Sequence, residues 1–68
     1  MVLRWPNGKW IHITYINRVG YEVGHYAFIQ SVGDFKDIAD RYGIRFENVL
    51  TLEVDGKNRF PDDFKDWF

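Results

Sequence analysis

The chain contains no cysteine. Disulfide staples and a thiolate zinc site are therefore excluded, and the composition fits a cytoplasmic, reducing compartment. No run of consecutive apolar residues approaches the ~18 needed for a membrane-spanning helix. No apolar stretch follows a basic start, so a signal peptide is not expected. Basic residues are scattered: residues 1–32 carry Arg4, Lys9 and Arg18 against Glu22, and the excess of charge in residues 33–68 is acidic. Nucleic-acid binding rests on clustered Lys and Arg that neutralise phosphates, so nucleic acid is not the default partner. Gly20, Gly24 and Gly33 form no phosphate-cradling loop.

At 68 residues the chain is expected to form a single small domain, 1–68. A domain of this size buries only about 60% of the surface its unfolded chain exposes, so its core is marginal. Aromatics are the compensation: Phe, Trp and Tyr make up 19% of the residues. Such side chains bury large areas at little entropic cost and are also the residues interfaces favour. More of them are present than so small a core accommodates, which predicts a sticky face, a homodimer, or both.

Lys9–Ile16 and Tyr21–Ile29 read as two long strands, joined by a four-residue loop Asn17–Gly20 into an antiparallel hairpin. Before them, Val2–Trp5 reads as a short strand ended by a turn at Pro6-Asn7-Gly8. With Ile16 facing Tyr21, one hairpin face holds Trp10, His12, Thr14, Ile16, Tyr21, Val23, His25, Ala27 and Ile29. The other holds Ile11, Ile13, Tyr15, Glu22, Gly24, Tyr26 and Phe28. Both are largely apolar, so one covers the core and the other meets a partner, a second copy or the C-terminal segment.

Ser31 is placed to cap a helix, with Asp34 three residues on as a variant capping box. Phe35, Ile38, Ala39 and Tyr42 follow at helical spacing. Gly43 stands where a left-handed residue ends a helix. Leu50, Leu52 and Val54 alternate with Thr51 and Glu53 as in a half-buried strand, and Asp55-Gly56 is a turn pair. Pro61 opens a short C-terminal helix whose aromatics are Phe64, Trp67 and Phe68. The expectation is α+β: an antiparallel β-sheet of three to four strands, strand–strand–helix–strand, with one main α-helix on one face.

No catalytic set emerges. His12 and His25 face each other in this register, but two histidines do not complete the three or four ligands of a metal site. Ser31 is better used as a cap than as a nucleophile, and no third group orients a histidine beside it. Asp62, Asp63 and Asp66 read as a solvated acidic helix end. The chain is read as a non-enzymatic binding protein without cofactor or metal.

Residues Ile11 to Lys57 resemble the small uracil-DNA glycosylase inhibitors of phages. The likeness rests on the strand–loop–strand, Ser31, Asp34-Phe35, Tyr42-Gly43 and Leu52-Glu53-Val54-Asp55. It implies a dimeric, non-catalytic, DNA-mimicking inhibitor that occludes a DNA repair glycosylase of the host. Phe35 and Tyr42, with Ile38, would receive an apolar side chain of the target, and Glu22, Asp34 and Asp37 would complement its basic surface. Gly33–Asp63 is also similar to a LysM carbohydrate-binding module, through Gly33-Asp34, Ile38-Ala39, Arg41-Tyr42-Gly43-Ile44, Glu47-Asn48-Val49-Leu50 and Arg59-Phe60-Pro61. A third reading, a stacking platform for single-stranded nucleic acid, rests on Arg4, Trp5, Lys9, Trp10, Tyr15, Arg18 and Tyr21.

Overall fold

A computed structural model describes residues 4–68. The chain forms strands β1 (Arg4–Ile16), β2 (Glu22–Ser31), β3 (Val49–Val54) and β4 (Lys57–Arg59). Helix α1 (Val32–Tyr42) lies between β2 and β3, and helix α2 (Pro61–Phe64) follows β4. The antiparallel sheet has the order β2-β1-β3-β4. The α+β class and the main helix on one sheet face are as the sequence predicts.

Helix α1 begins and ends on the expected residues. Ser31 Oγ accepts the Asp34 N–H at 3.1 Å. The Asp34 carboxylate reaches back to the Gln30 N–H at 2.8 Å, one residue beyond the usual capping box. At the other end Gly43 takes φ 66°, and Ile44 N–H donates to the Ala39 carbonyl at 2.8 Å, closing a Schellman motif. Phe35 and Ala39 are buried and Ile38 is half-buried against the core.

The core is Ile11, Ile13, Tyr15 and Ile29 from the first two strands, Leu52 and Val54 from β3, and Phe35, Ala39, Ile44 and Phe64 above them. The C-terminal aromatics close it. Trp67 and Phe68 set ring edges against Phe35 at 5.3 and 5.1 Å, and Phe46 meets Phe64 and Phe68 at 5.7 Å each. Edge-to-face pairs of this kind contribute about 0.5–1.5 kcal/mol beyond the area they bury. In a small domain that is a substantial share of stability.

Three sequence expectations are corrected. Ile16 pairs with Glu22, not Tyr21, so the hairpin loop has five residues, Asn17–Tyr21. The Asn17 side chain organises it: Oδ1 accepts the N–H groups of Val19 and Tyr21 at 3.0 and 2.9 Å. A one-residue change of register moves every β2 side chain to the other face. His25 therefore lies opposite Ile13 and His12 opposite Tyr26, and the two histidines sit on opposite sides of the sheet.

Pro6-Asn7-Gly8 does not end a strand. Val2 and Leu3 lie outside the described residues, and β1 runs from Arg4 through this triplet as an irregular bulge. The register moves from Arg4↔Ser31 to Lys9↔Ile29 across it. Gly8 supplies φ 74° there, the left-handed geometry that a glycine bulge uses. Proline, which has no N–H to donate, is tolerated at such an irregularity.

Finally, a register shift between Thr14 and Tyr15 pairs Tyr15 with Val49. Val49 packs on the core and Leu50 is exposed, contrary to simple alternation. The Asp55-Gly56 turn has φ 52° and 80° at its two residues, as a type I′ hairpin requires. It adds β4, for which the sequence showed only the turn.

Candidate binding surface

The corrected register divides the sheet into two unlike faces. Ile11, Ile13, Tyr15, Val23, His25, Ala27 and Ile29 share the core side. The open side carries Trp10, His12, Thr14 and Ile16 from β1, Glu22, Gly24, Tyr26 and Phe28 from β2, and Thr51 and Glu53 from β3. No helix of the described residues covers it, and its aromatics stand in solvent: Trp10 is 59% exposed, Tyr26 76% and Phe28 47%.

These rings are ordered by cross-strand pairing. The ladder alternates hydrogen-bonded and non-hydrogen-bonded pairs, and the latter bring side chains closest. Asn17 N–H donates to the Tyr21 carbonyl at 2.8 Å, so odd-numbered pairs are the bonded ones. Trp10↔Phe28, His12↔Tyr26 and Thr14↔Gly24 are then the close pairs. His12 stacks on Tyr26 at 4.2 Å and 13°, and Trp10 meets Phe28 edge to face at 5.2 Å. The Phe28 ring presses onto Gly8 and fills the space that a Cβ there would need. Thr14 and Thr51 share a hydroxyl hydrogen bond, and His12 Nδ1 approaches Glu53 Oε2 at 3.7 Å.

Among the described residues the strand carboxylates and ammonium or guanidinium groups are divided by side, and those on this face are of one sign. Glu22 and Glu53 lie on it, while Lys57 and Arg59 pair with Val54 and Leu52 and so belong to the core side. Lys9 is held by Asp55, Nζ to Oδ2 at 3.1 Å. Among its strand positions the open face presents aromatics and two carboxylates, without a lysine or arginine.

The residues singled out on the helix are dispersed. Phe35 is buried under Trp67 and Phe68 with 1% of its surface exposed. Tyr42 is 47% exposed, and its inner face stacks on His25 at 4.3 Å. The two aromatics therefore do not line a common pocket: one is core and the other covers β2. Ile38 is half-buried between them. Asp34 is spent on the helix cap, and Asp37 and Glu22 are exposed on different elements.

Beneath Tyr42, His25 Nε2 is 3.1 Å from the Tyr15 hydroxyl. Burial, with the neighbouring Tyr42 adding to it, pushes the Tyr15 phenol above its ordinary value. Among the described residues no three His, Cys, Asp or Glu side chains gather as metal ligands, and no helix is long and apolar enough to cross a membrane.

Trp10, Tyr26 and Phe28 were legible in the sequence as strand aromatics but not as one surface. The signal that unites them is Asn17, a residue suited to organising a loop that also takes in Tyr21. Comparison with protein-family models, with curated proteins and with solved structures returned no match.

Proposed function

We propose that this chain is a non-catalytic protein-binding module that seats its target on the open face of the sheet. The observation that carries the reading is two cross-strand ring pairs, Trp10 edge to face with Phe28 and His12 stacked on Tyr26, with Trp10, Phe28 and Tyr26 exposed and Glu22 and Glu53 beside them. Exposed aromatics ordered by their neighbours lose little entropy on binding, and interface hot spots are enriched in Trp and Tyr. Carboxylates beside aromatic faces suit arginine, which pairs with the one and stacks on the other. The partner class is thus a protein surface presenting arginine among apolar side chains.

Such a surface is what a DNA-reading enzyme offers, and the inhibitor reading drawn from the sequence is retained in that form. The contact moves from the helix stripe to the sheet. An aromatic face without basic residues does not favour single-stranded nucleic acid, whose binding needs a cationic track beside the stacking rings.

The test is inhibition of uracil excision by a purified bacterial uracil-DNA glycosylase, with a second titration of an oligonucleotide and of a chitin oligomer. The expected result is inhibition by the wild type, lost in Trp10→Ala/Tyr26→Ala and kept in Asp62→Ala. Inhibition that survives the double substitution removes the sheet face as the site. Absence of inhibition removes the glycosylase as target, and binding of either oligomer in its place overturns the protein-binding reading.

A further inference from the structure

The two edges of the sheet are built differently. Strand β4 is three residues long, reads Lys57-Asn58-Arg59 and is followed by Pro61. Shortness, charge and proline are the usual means of preventing further strand pairing. Strand β2 is neither short nor interrupted by proline, and it carries little charge. It is ten residues long, its one charged residue is Glu22 at its start, and it contains no proline or lysine. It lies at the other edge of the sheet.

Because the odd-numbered residues of β2 bond to β1, the N–H and C=O groups of Glu22, Gly24, Tyr26, Phe28 and Gln30 point away from the sheet. The Gln30 N–H confirms the direction: it is taken by the Asp34 carboxylate at 2.8 Å. That cap ends the edge on its C-terminal side. The remaining four residues form an open row of alternating donors and acceptors, and none bonds a backbone group outside the sheet among the described residues. Groups of this kind bond water in the free chain, and another extended strand can take up the whole row at once.

We propose that the β2 edge pairs antiparallel with β2 of a second copy, giving a two-fold dimer with one continuous eight-stranded sheet. The four free residues are centred on His25. A register with the two-fold axis at His25 sets Glu22 opposite Phe28 of the second copy and Gly24 opposite Tyr26. It leaves Gln30 to its cap. Glu22 faces no carboxylate across this ladder, the two His25 side chains meet at the axis, and a net charge of −1 per chain with histidine neutral opposes association little. Gly24, which presents no side chain, receives an aromatic across the strand, a pairing that compensates for glycine in sheets. Tyr42, stacked on His25, lies beside the axis, so the half of its ring left exposed gains a cover. The self-complementary edge meets the symmetry condition of an isologous contact. The dimer does not depend on the partner proposed above. It would place two copies of the open aromatic face side by side.

Light scattering across a concentration series, with site-resolved amide exchange at both ends of it, tests the proposal. The expected mass at high concentration is twice the 8.2 kDa of one chain. The amides of Gly24, Tyr26 and Phe28 are expected to slow with dimer formation, while those of Val23, His25 and Ala27 are protected at every concentration. Tyr26→Pro removes an outward N–H and spares the bonds to β1, so it is expected to abolish the dimer. Tyr26→Phe should keep it. If Tyr26→Pro fails to fold, the exchange pattern of the wild type decides. A mass of one chain at all concentrations, or a dimer whose Gly24, Tyr26 and Phe28 amides exchange as fast as in the monomer, overturns the proposal.

Discussion

Asp55 and Trp10 are joined by two hydrogen bonds that use the backbone of both residues and one side chain. Asp55 N–H donates to the Trp10 carbonyl at 2.8 Å, and Asp55 Oδ1 accepts the Trp10 N–H at 3.1 Å. A turn residue between β3 and β4 thereby holds the strand position that carries the exposed tryptophan ring of the open face. The other carboxylate oxygen holds Lys9.

Stability should therefore depend on the ionisation of Asp55. The Lys9 ammonium, and after it the Trp10 N–H, hold its carboxyl below the ordinary value of 3.8. A depressed pKa contributes stability that is present above the unfolded value and is lost as pH falls through the folded one. The melting temperature of the wild type is expected to fall below about pH 4 more steeply than that of Asp55→Asn. Asparagine keeps an acceptor for Trp10 and suits the left-handed turn position, so Asp55→Asn should retain the hairpin near neutral pH. Equal acid slopes in the two proteins would disprove the linkage.

Gly8 is constrained twice, by its φ of 74° and by the Phe28 ring lying where a Cβ would be. Gly8→Ala is expected to cost about 1–3 kcal/mol from backbone strain, with displacement of the ring added to it. Chemical denaturation reads the first effect. Ring-current shifts between Trp10 and Phe28 read the second, and both should change together.

The two aromatics of helix α1 are expected to behave unlike each other. Phe35→Ala removes a fully buried ring and should cost about 3–5 kcal/mol, enough to unfold a domain of marginal stability. Tyr42→Ala removes a half-exposed ring, and its effect on thermal unfolding should be much smaller. Comparable losses for the two would show that Tyr42 is core as well.

Most of the fold was legible because it is local. Ser31, Gly43, Asp55-Gly56 and Pro61 mark starts, stops and turns through their own hydrogen bonds and dihedral preferences. The helical stripe and the β3 strand follow from spacing, though the bulge opposite Thr14 and Tyr15 exchanged Val49 for Leu50 on the core side. The binding surface was less legible. It depends on which way β2 faces, and that turns on whether Tyr21 belongs to the loop or to the strand. A single residue at one turn decides it, and both hairpin faces are apolar enough to accept either answer.

What the sequence determined by itself is a small α+β domain with more aromatic surface than it can bury, and the residues that begin and end each element. Only the tertiary structure decided how those aromatics are divided. Phe35, Phe46, Phe64, Trp67 and Phe68 close the core, and Trp10, Tyr26 and Phe28 are left in solvent. The physical reason is register: hydrophobicity shows that a ring will be buried somewhere, but the side of a sheet it occupies is set by pairing with a strand distant in sequence.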